Sequence, residues 1–314
     1  MDYHFGLDIG RSDVKCQFGP GEKDVLIFPS YVSKYRERDL KQDGFSLNNL
    51  EVAINGSRYF VGELAREMNG VREFGSNKIE HENTIILLLI AIAASPITPE
   101  YGTIFPRVCA GLPINNYTRQ AEKFEVMLNG VYEVTLPGKH VWINLSKERS
   151  LCFQECIGTY MDMALNENGK ATENALFKGC IGIIDIGYKT VNFFKMIDGR
   201  FIDSGSGTLE RMGLSDAFLS FYKRISREKG YTPNEAELKF EALGNSDRKN
   251  LAEQIEGALT RWWSDPSEFN QIYFTGGGGI ALEPFFSKYQ GLVVPNARVS
   301  NARGFRKVAV AKLG

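Results

Sequence analysis

The sequence predicts an α/β protein built from two similar lobes. Its 314 residues suggest two lobes at about 150 residues per domain. Short stretches of alternating apolar residues, typical of strands, are interspersed with helical stretches. A strand–Asp-x-Gly–strand turn occurs twice, once near the start and once in the second half. With 43% hydrophobic and 24% charged residues, each lobe can bury a core of its own.

The first half of the chain reads mainly as strands. In chain order we expect strands at 3–7, 14–18 and 25–28, a charged segment at 33–50, a hairpin of 52–54 with 59–61, a buried helix at 84–94 and a strand at 104–112. The hairpin is indicated by Asn55-Gly56, a standard hairpin dipeptide. The helix is predicted to be buried because it is apolar on every face.

The second half repeats the opening pattern. We expect strands at 181–184 and 191–195, a helix at 214–229, a polar helical stretch at 234–261, a strand at 271–274 and a glycine run at 275–279 that leads into a short helix. When Asp8 is set against Asp185, Val14 and Val191 each follow six residues after the aspartate. An internal repeat of this kind implies duplicated lobes.

The repeated turn is the best candidate for a functional site. Asp and Gly are common turn residues, so a single copy would more often be structural, whereas two equivalent copies favour a shared function. Glycine at a hairpin tip lets backbone N–H groups approach a phosphate, and the aspartate beside it can hold magnesium through water. Lys15, on the returning strand, could contact the same phosphates, although a lone lysine is more often a surface residue.

The glycine run after the last strand allows two interpretations. Glycines permit a tight turn and close backbone approach to a flat or charged ligand, but they also occur in flexible loops. Two other nucleotide motifs are rejected. Residues 182–190 nearly match a P-loop, but Tyr188 replaces the lysine and a strand pattern continues where a helix is required. Gly205-Ser206-Gly207 starts like a dinucleotide fingerprint, but Glu210 stands in the place of the third glycine.

Charge, cysteine and metal-ligand content exclude several classes of protein. The 37 basic residues are matched by 38 acidic ones, so direct nucleic-acid binding is not expected. Five cysteines, an odd number, indicate reduced thiols, and Cys152 with Cys156 lacks the two further ligands of a zinc site. The three histidines, His4, His81 and His140, are scattered. No apolar run is as long as the ~20 residues of a membrane helix, and the first residues lack a signal-peptide pattern, so we expect a cytoplasmic protein with no membrane partner.

Three motifs together resemble the actin superfamily of ATPases. Residues 7–10 (Leu-Asp-Ile-Gly) with Lys15 resemble its first phosphate loop, and residues 184–187 (Ile-Asp-Ile-Gly) with Thr190 resemble the second. Residues 274–278 (Phe-Thr-Gly-Gly-Gly) are similar to its adenosine-binding loop. Residues 27–30 and 59–63 resemble stretches beside the small subdomain of the first lobe, and 301–305 (Asn-Ala-Arg-Gly-Phe) resembles the second connecting helix. The length and this ending are most similar to plasmid-segregation actins of the ParM/StbA type and to short archaeal actin-like proteins.

The resemblance implies an actin-like (ribonuclease H-like) fold of two duplicated lobes with an ATP cleft between them. The first lobe would comprise residues 1–165, with a small subdomain at about 33–80, together with a C-terminal helix at about 300–314. The second lobe would comprise residues 180–299, with a small subdomain at about 205–250. Residues 166–178 are polar and are interpreted as an insertion between the connecting helix and the second phosphate loop.

The resemblance also implies the site. ATP or ADP would be bound by Asp8, Gly10, Ser12, Lys15, Asp185, Gly187, Lys189, Thr190, Gly276, Gly277 and Gly278. Asp8 and Asp185 would hold the water shell of one Mg²⁺ ion and, with Gln154, form the catalytic set. Gln154 matches the early Gln or Glu of the connecting helix that faces the attacking water, and neighbouring Glu155 stays an alternative. An amide does not take up a proton near neutral pH, so Gln154 would orient the water.

The function implied is ATP-driven polymerisation into dynamic filaments that segregate plasmid DNA through a DNA-bound adaptor. Two alternatives stay open, a small-molecule kinase with the same ATP cleft and a nonpolymerising regulatory ATPase. The kinase would need an acidic base near the γ-phosphate, for which Glu155 could be recruited. Preference for ATP over GTP is also open. The densest basic cluster, Lys34, Arg36, Arg38 and Lys41, is interrupted by acidic residues and fits either a solvated face or a filament contact.

Overall fold

The computed structural model describes residues 3–37, 46–47, 50–71, 82–172, 178–229 and 243–314. The chain forms two units, one of residues Met1–Thr172 with Asn301–Gly314 and the other of residues Glu173–Ser300. His81, Arg38 and Lys41 lie outside the described residues, as do parts of the charged segment, of the insertion and of the polar helical stretch.

Both units contain strands and helices. The strands are β1 (His4–Ile9), β2 (Asp13–Gln17), β3 (Val25–Pro29), β4 (Val32–Lys34), β5 (Leu50–Ile54), β6 (Ser57–Val61), β7 (Tyr101–Ile104), β8 (Arg107–Leu112), β9 (Gly130–Leu136), β10 (Lys139–Leu145), β11 (Ser150–Gln154), β12 (Cys180–Ile186), β13 (Thr190–Ile197), β14 (Arg200–Phe201), β15 (Gly207–Glu210), β16 (Gln271–Thr275) and β17 (Leu292–Val293). The helices are α1 (Glu63–Glu67), α2 (Glu82–Ala93), α3 (Ile114–Met127), α4 (Ile157–Ala164), α5 (Leu214–Lys229), α6 (Asn245–Leu259), α7 (Gly276–Leu282) and α8 (Ser300–Leu313).

The first unit contains two sheets. One has the strand order β11–β8–β1–β2–β3, in which β1 runs antiparallel to β2 while β1, β8 and β11 are parallel. Leu7 pairs with Ala110, and Ala110 pairs with Cys152 on the other side, so the carboxyl ends of these three strands lie at one edge of the sheet. The other sheet has the order β4–β6–β5–β9–β10–β7.

Helix α2 packs between these two sheets, and this position accounts for its apolar sequence. It contacts β1 and β2 of the first sheet and β9 and β10 of the second, and its side chains from Ile86 to Ala93 are buried all round. A helix with apolar neighbours on both sides needs apolar residues on every face. The predicted buried helix at 84–94 is therefore confirmed.

Helices α4 and α8 of the first unit cross with their backbones in contact. A Cβ atom on Gly304 would lie 1.7 Å from the carbonyl oxygen of Gly158, so glycine is required at the crossing. Burial raises the pKa of Asp162 on α4, and the Lys307 ammonium of α8, 2.8 Å from Asp162 Oδ1, opposes that shift. The predicted helix at 300–314 is confirmed, and its glycine fixes the helix that follows β11.

The second unit has a single main sheet among its described residues. Its order is β14–β13–β12–β16–β17, with β15 added to β13. β12 runs antiparallel to β13 and parallel to β16. The hairpin β12–β13 therefore repeats the hairpin β1–β2, each with a parallel neighbour beside its first strand, as the internal repeat predicts. The core beneath it contains fully buried Trp263, Phe193, Phe274 and Tyr289.

Several element predictions are confirmed and others are wrong. The hairpin of β5 with β6 turns at Asn55 and Gly56, both with positive φ, as predicted. The single strand expected at 104–112 is wrong: β7 and β8 lie in different sheets, because Pro106 cannot donate a ladder hydrogen bond and the chain changes sheet there. The predictions also missed α3, β9 and β10.

Two further points concern the second half of the chain. The polar helical stretch expected at 234–261 is helical over α6, Asn245–Leu259, and its residues 234–242 lie outside the described part. Within the described ranges, no helix is both long and apolar enough to cross a bilayer.

Candidate functional site

The first hairpin closes on a glycine. β1 and β2 pair as far as Ile9 with Val14, which leaves residues 10–12 as the tip. The Gly10 N–H donates to the carbonyl of Asp13 at 3.1 Å. A Cβ atom at Gly10 would lie 2.7 Å from that same carbonyl oxygen, so the tight tip requires glycine.

Asp8 and Lys15 face each other across this hairpin. They are partners in the β1–β2 ladder, and Lys15 Nζ lies 3.0 Å from Asp8 Oδ2. Both side chains are largely buried, with 16% of Lys15 and 11% of Asp8 exposed. A charge-assisted hydrogen bond of this kind is stronger than a neutral one. The ammonium predicted to neutralise phosphate is therefore shared with the carboxylate predicted to hold magnesium.

The carbonyls of the first tip are held by Ser30, which directly follows β3. Ser30 Oγ donates to the carbonyl of Gly10 at 2.6 Å, and the Ser30 N–H donates to the carbonyl of Ser12 at 3.0 Å. Ser30 is fully buried. Ser30 ends the stretch 27–30 that resembles actins, but the sequence assigns it no role, because nothing along the chain signals a contact with residue 10.

The end of β11 carries the predicted water-orienting residue. Gln154 is the last residue of β11 and pairs with Leu112, so it lies at the same sheet edge as Asp8. It precedes α4 rather than lying in it, since the helix begins at Ile157. Glu155, in the turn between them, donates its N–H to the Leu112 carbonyl at 2.7 Å and is buried, whereas Gln154 is partly exposed. Gln154 and Glu155, the two candidates for orienting the attacking water, therefore both lie at this edge of the sheet.

The second hairpin closes in the same way as the first. The Gly187 N–H donates to the carbonyl of Thr190 at 2.9 Å, and a Cβ atom there would lie 3.2 Å from that oxygen. Asp185 is buried like Asp8, but its ladder partner is Asn192 in place of a lysine. Asn192 Oδ1 accepts a hydrogen bond from Thr208 Oγ1 at 2.7 Å. The two aspartates therefore have the same backbone position and different ladder partners.

The tip of the second hairpin contacts the start of α5. The carbonyls of Gly187 and Tyr188 accept hydrogen bonds from the backbone N–H groups of Leu214 and Ser215, at 3.1 and 2.7 Å. The first N–H groups of a helix have no partner within the helix, so the tip supplies acceptors for two of them. Lys189 lies beside these carbonyls at the tip. This contact, too, was not predicted from the sequence.

The glycine run begins a helix and packs against Asp185. Thr275 pairs with Asp185, and α7 starts at the next residue, so the flexible-loop interpretation is wrong. Gly276 has φ +76°, and a Cβ atom there would lie 2.5 Å from Asp185 Oδ1. At Gly278 a Cβ atom would lie 2.3 Å from Ile186 Cγ2, whereas at Gly277 no atom lies within 4 Å. Gly276 thus packs against Asp185 and Gly278 against Ile186, whereas Gly277 faces open space.

The structure brings the predicted residues together in two groups. In the first unit, Asp8, Gly10, Ser12 and Lys15 share one hairpin, and Gln154 lies at the same sheet edge. In the second unit, Asp185, Gly187, Lys189, Thr190, Gly276, Gly277 and Gly278 lie at the carboxyl ends of β12 and β16. The carboxyl edge of parallel strands is where α/β sheets bind ligands.

The donor set fits magnesium held through water. In the part of the chain that the structure describes, no three His, Cys, Asp or Glu side chains come together to hold a metal ion. Mg²⁺ keeps several waters and is bound by one or two carboxylates with substrate phosphates. Within each unit taken by itself, one buried carboxylate fits that preference, Asp8 in the first and Asp185 in the second. A side chain added at Gly276 would clash with Asp185 Oδ1.

The first half of the chain matches a known protein family. Residues 6–158 match the family described as "Actin like proteins N terminal domain". No curated protein matches the chain. Together with the two equivalent hairpins, this match gives the class of the fold: the chain has an actin-like fold, as the sequence resemblance predicts.

Solved structures of ParM proteins and of an archaeal actin homologue have the same fold. The apo pSK41 ParM protein is 22% identical over 98% of this chain and 96% of its own, with a TM-score of 0.72. ParM in a 15-stranded filament from Clostridium botulinum is 21% identical over 98% of this chain and 99% of its own, with a TM-score of 0.77. The archaeal actin homologue Ta0583 in complex with ADP is 18% identical over 97% of this chain and 98% of its own, with a TM-score of 0.76.

Proposed function

We propose that this chain is an ATPase that assembles with ATP into dynamic filaments. The observation that carries the proposal is the pair of equivalent hairpins, each with a glycine-closed tip and a buried aspartate at the same ladder position. Two neighbours with this fold support it, the ParM filament and the ADP complex of Ta0583. The finer part of the proposal is that the filament moves plasmid DNA through an adaptor.

In this proposal each hairpin contributes its own contacts to a nucleotide. In the first hairpin, Gly10 and Ser12 contact phosphate oxygens. Lys15 donates hydrogen bonds to the phosphate oxygens while it keeps its ion pair with Asp8. In the second, Thr190 and Lys189 contact phosphate, and Gly276, Gly277 and Gly278 let the backbone approach the nucleoside. Asp8 and Asp185 would hold hydrated magnesium, and the ion would supply positive charge that offsets the charge of the phosphate oxygens.

Water attack would be assisted from the end of β11. Gln154 is partly exposed at the edge that also carries Asp8, so its amide can orient a water molecule toward the terminal phosphate. Glu155 is the alternative, because a carboxylate can also accept a proton. Catalysis by positioning is sensitive to displacements of about 1 Å, so turnover should be slow in a free subunit and faster in a filament that restrains it. ADP subunits would then leave.

Charge favours an adaptor over direct DNA binding. Duplex binding depends on lysine and arginine residues that neutralise phosphates, and this chain has 37 basic against 38 acidic residues. A filament of such subunits would need a separate DNA-bound protein to capture its end.

The test is assembly in the presence of nucleotide. Light scattering and pelleting should increase with MgATP, fall as ATP is consumed, and stay at baseline with MgADP or without magnesium. GTP in place of ATP measures the nucleotide preference. No assembly at any protein concentration would contradict the filament proposal and favour the kinase or regulatory alternative. Duplex DNA alone should not be shifted at physiological salt, and tight binding would contradict the adaptor.

A further inference from the structure

Ser30 lies at the connection between the two sheets of the first unit. It follows β3 and precedes β4, where the chain passes from the five-stranded sheet to the other sheet. Its side chain is fully buried, and its hydroxyl reaches across to the tip of a hairpin twenty residues earlier. A buried hydroxyl that bonds a single backbone carbonyl at 2.6 Å fixes the direction of that carbonyl.

The two bonds made by Ser30 orient two peptide planes. The Gly10 carbonyl, which accepts from Ser30 Oγ, belongs to the same planar peptide unit as the Arg11 N–H. The Ser12 carbonyl, which accepts from the Ser30 N–H, shares a peptide unit with the Asp13 N–H. In a trans peptide the C=O and N–H bonds point in opposite directions. Ser30 therefore turns the N–H groups of Arg11 and Asp13 away from itself.

An anion at a hairpin tip is bound by N–H groups that face out of the tip, here that of Arg11, since Asp13 lies in β2 and faces Gly10. Successive backbone N–H groups in a turn form a concave site for phosphate, provided that the carbonyl oxygens do not face the anion. At this tip the third carbonyl, that of Asp13, is also directed inward, because it accepts from the Gly10 N–H. All three carbonyls from residues 10, 12 and 13 are thus engaged within the unit.

We propose that Ser30 is a positioning residue for phosphate binding by the first hairpin. It acts through the backbone of residues 10–13 and does not itself touch the nucleotide. The inference rests on the proposed function, since it names a residue that shapes the same nucleotide site. The ligand class is a nucleotide with its phosphates exposed to the tip.

Ser30→Ala tests the hydroxyl while keeping the backbone bond to Ser12. Binding of MgATP is measured by calorimetric titration below the unfolding temperature, so that lost stability does not enter the result. We expect roughly tenfold weaker binding, the scale of a lost bond to a buried carbonyl. The turnover number at saturating MgATP should change less than the affinity, because the catalytic groups lie elsewhere.

Ser150→Ala is the matched control. Ser150 begins β11 in the same sheet, is 2% exposed, and its hydroxyl has no hydrogen-bond partner among the described residues. The same atom is removed from the same kind of environment, so MgATP affinity should equal that of the parent. Equal weakening in both variants would overturn the inference, since it would reflect general loosening of the sheet.

A second substitution separates the hydrogen bond from side-chain size. Ser30→Cys keeps a side chain of similar shape with a weak donor. Its affinity should lie between those of the parent and Ser30→Ala, and weaker binding than Ser30→Ala would contradict the inference. Parental MgATP affinity in Ser30→Ala would refute the inference. If the parent itself binds neither MgATP nor MgADP, the proposed function fails first, which is a distinct result.

Discussion

The two hairpins share a backbone design and differ in what surrounds it. Each closes with a glycine N–H bonded to the carbonyl three residues later, and each has a buried aspartate in its first strand. The first tip is held by the side-chain hydroxyl and the backbone N–H of Ser30, whereas the second is held by backbone N–H groups of Leu214 and Ser215. A point mutation can remove the hydroxyl contact at the first tip but not the backbone contacts. The repeat therefore preserves geometry while each copy acquires its own supports.

The electrostatic difference is equally informative. Asp8 lies 3.0 Å from the ammonium of Lys15, while the ladder partner of Asp185 is a neutral amide, Asn192. A carboxylate that already shares its charge with a lysine attracts a cation less strongly than one that does not. Across its ladder, Asp8 therefore faces a cation and Asp185 faces a neutral amide, and we expect the ion pair with Lys15 to reduce the contribution of Asp8 to magnesium binding.

Asp185→Asn should have the largest effect on this comparison. It keeps the shape of the side chain but removes the charge, so we expect turnover to fall roughly 100- to 1,000-fold, the scale found when a group that stabilises developing charge is removed. Phosphate release across a magnesium titration measures it, with far-UV circular dichroism as a check on folding.

Asp8→Asn is the matched variant for the other hairpin. Its turnover should fall less than that of Asp185→Asn, because Lys15 already offsets the Asp8 charge. An equal or larger loss in Asp8→Asn would reverse the assignment of metal to the second hairpin, and parental turnover in Asp185→Asn would refute its role altogether.

Gln154→Ala should lower turnover by about 100-fold, since loss of a positioning group has that scale. Binding and assembly should persist, because Gln154 is not part of either hairpin, and the filaments should therefore last longer. Single-turnover phosphate release and filament lifetime by light scattering measure both effects. If Glu155→Ala gives this behaviour and Gln154→Ala does not, the water contact belongs to Glu155.

Gly276→Ala should destabilise the second unit and displace Asp185. The new Cβ atom would lie 2.5 Å from Asp185 Oδ1, and φ +76° is unfavourable for alanine. We expect a loss of about 1–3 kcal/mol in the free energy of unfolding, measured by urea titration, with turnover reduced roughly tenfold.

Gly277→Ala is the neighbouring control. No atom lies within 4 Å of its added Cβ, so stability should be unchanged or slightly higher, because alanine favours a helix. Weaker nucleotide binding without lost stability would place the ligand at this glycine. Equal destabilisation by both substitutions would contradict the packing of Gly276 against Asp185.

These comparisons also mark how far the sequence predicts the site. The aspartates and the closing glycines are predictable because the repeat lies along the chain and needs no tertiary information. The hairpin of β9 with β10 was predictable in principle, since Val134, Leu136, Val141 and Ile143 alternate around a turn, but it was missed. The contacts that Ser30 and the start of α5 make with the hairpin tips could not be predicted, because they are set by packing. Gly276 was predicted to approach a ligand, yet its nearest neighbour is Asp185.

Lys15→Gln should have the smallest effect and the most specific one. The substitution removes a cation 3.0 Å from Asp8 Oδ2, so two interactions change in opposite directions. Phosphate loses a partner, and MgATP affinity should fall only about three- to tenfold, because a lysine shared with a carboxylate contributes modestly. Without the lysine, the negative charge of Asp8 is no longer offset, so Asp8 should attract magnesium more strongly. Half-maximal turnover should then require less magnesium.

Lys189→Gln separates this account from a general loss of positive charge. Lys189 lies at the tip of the second hairpin, and the partner of Asp185 across the ladder is Asn192, so its removal changes no ladder pair. We expect weaker MgATP binding in this variant with no decrease in the magnesium requirement. If both variants lower the magnesium requirement, or neither does, the pairing of Lys15 with Asp8 does not tune the metal site. A lower magnesium requirement in Lys15→Gln alone would establish that the Lys15–Asp8 ion pair weakens magnesium binding by the first hairpin while Lys15 strengthens phosphate binding.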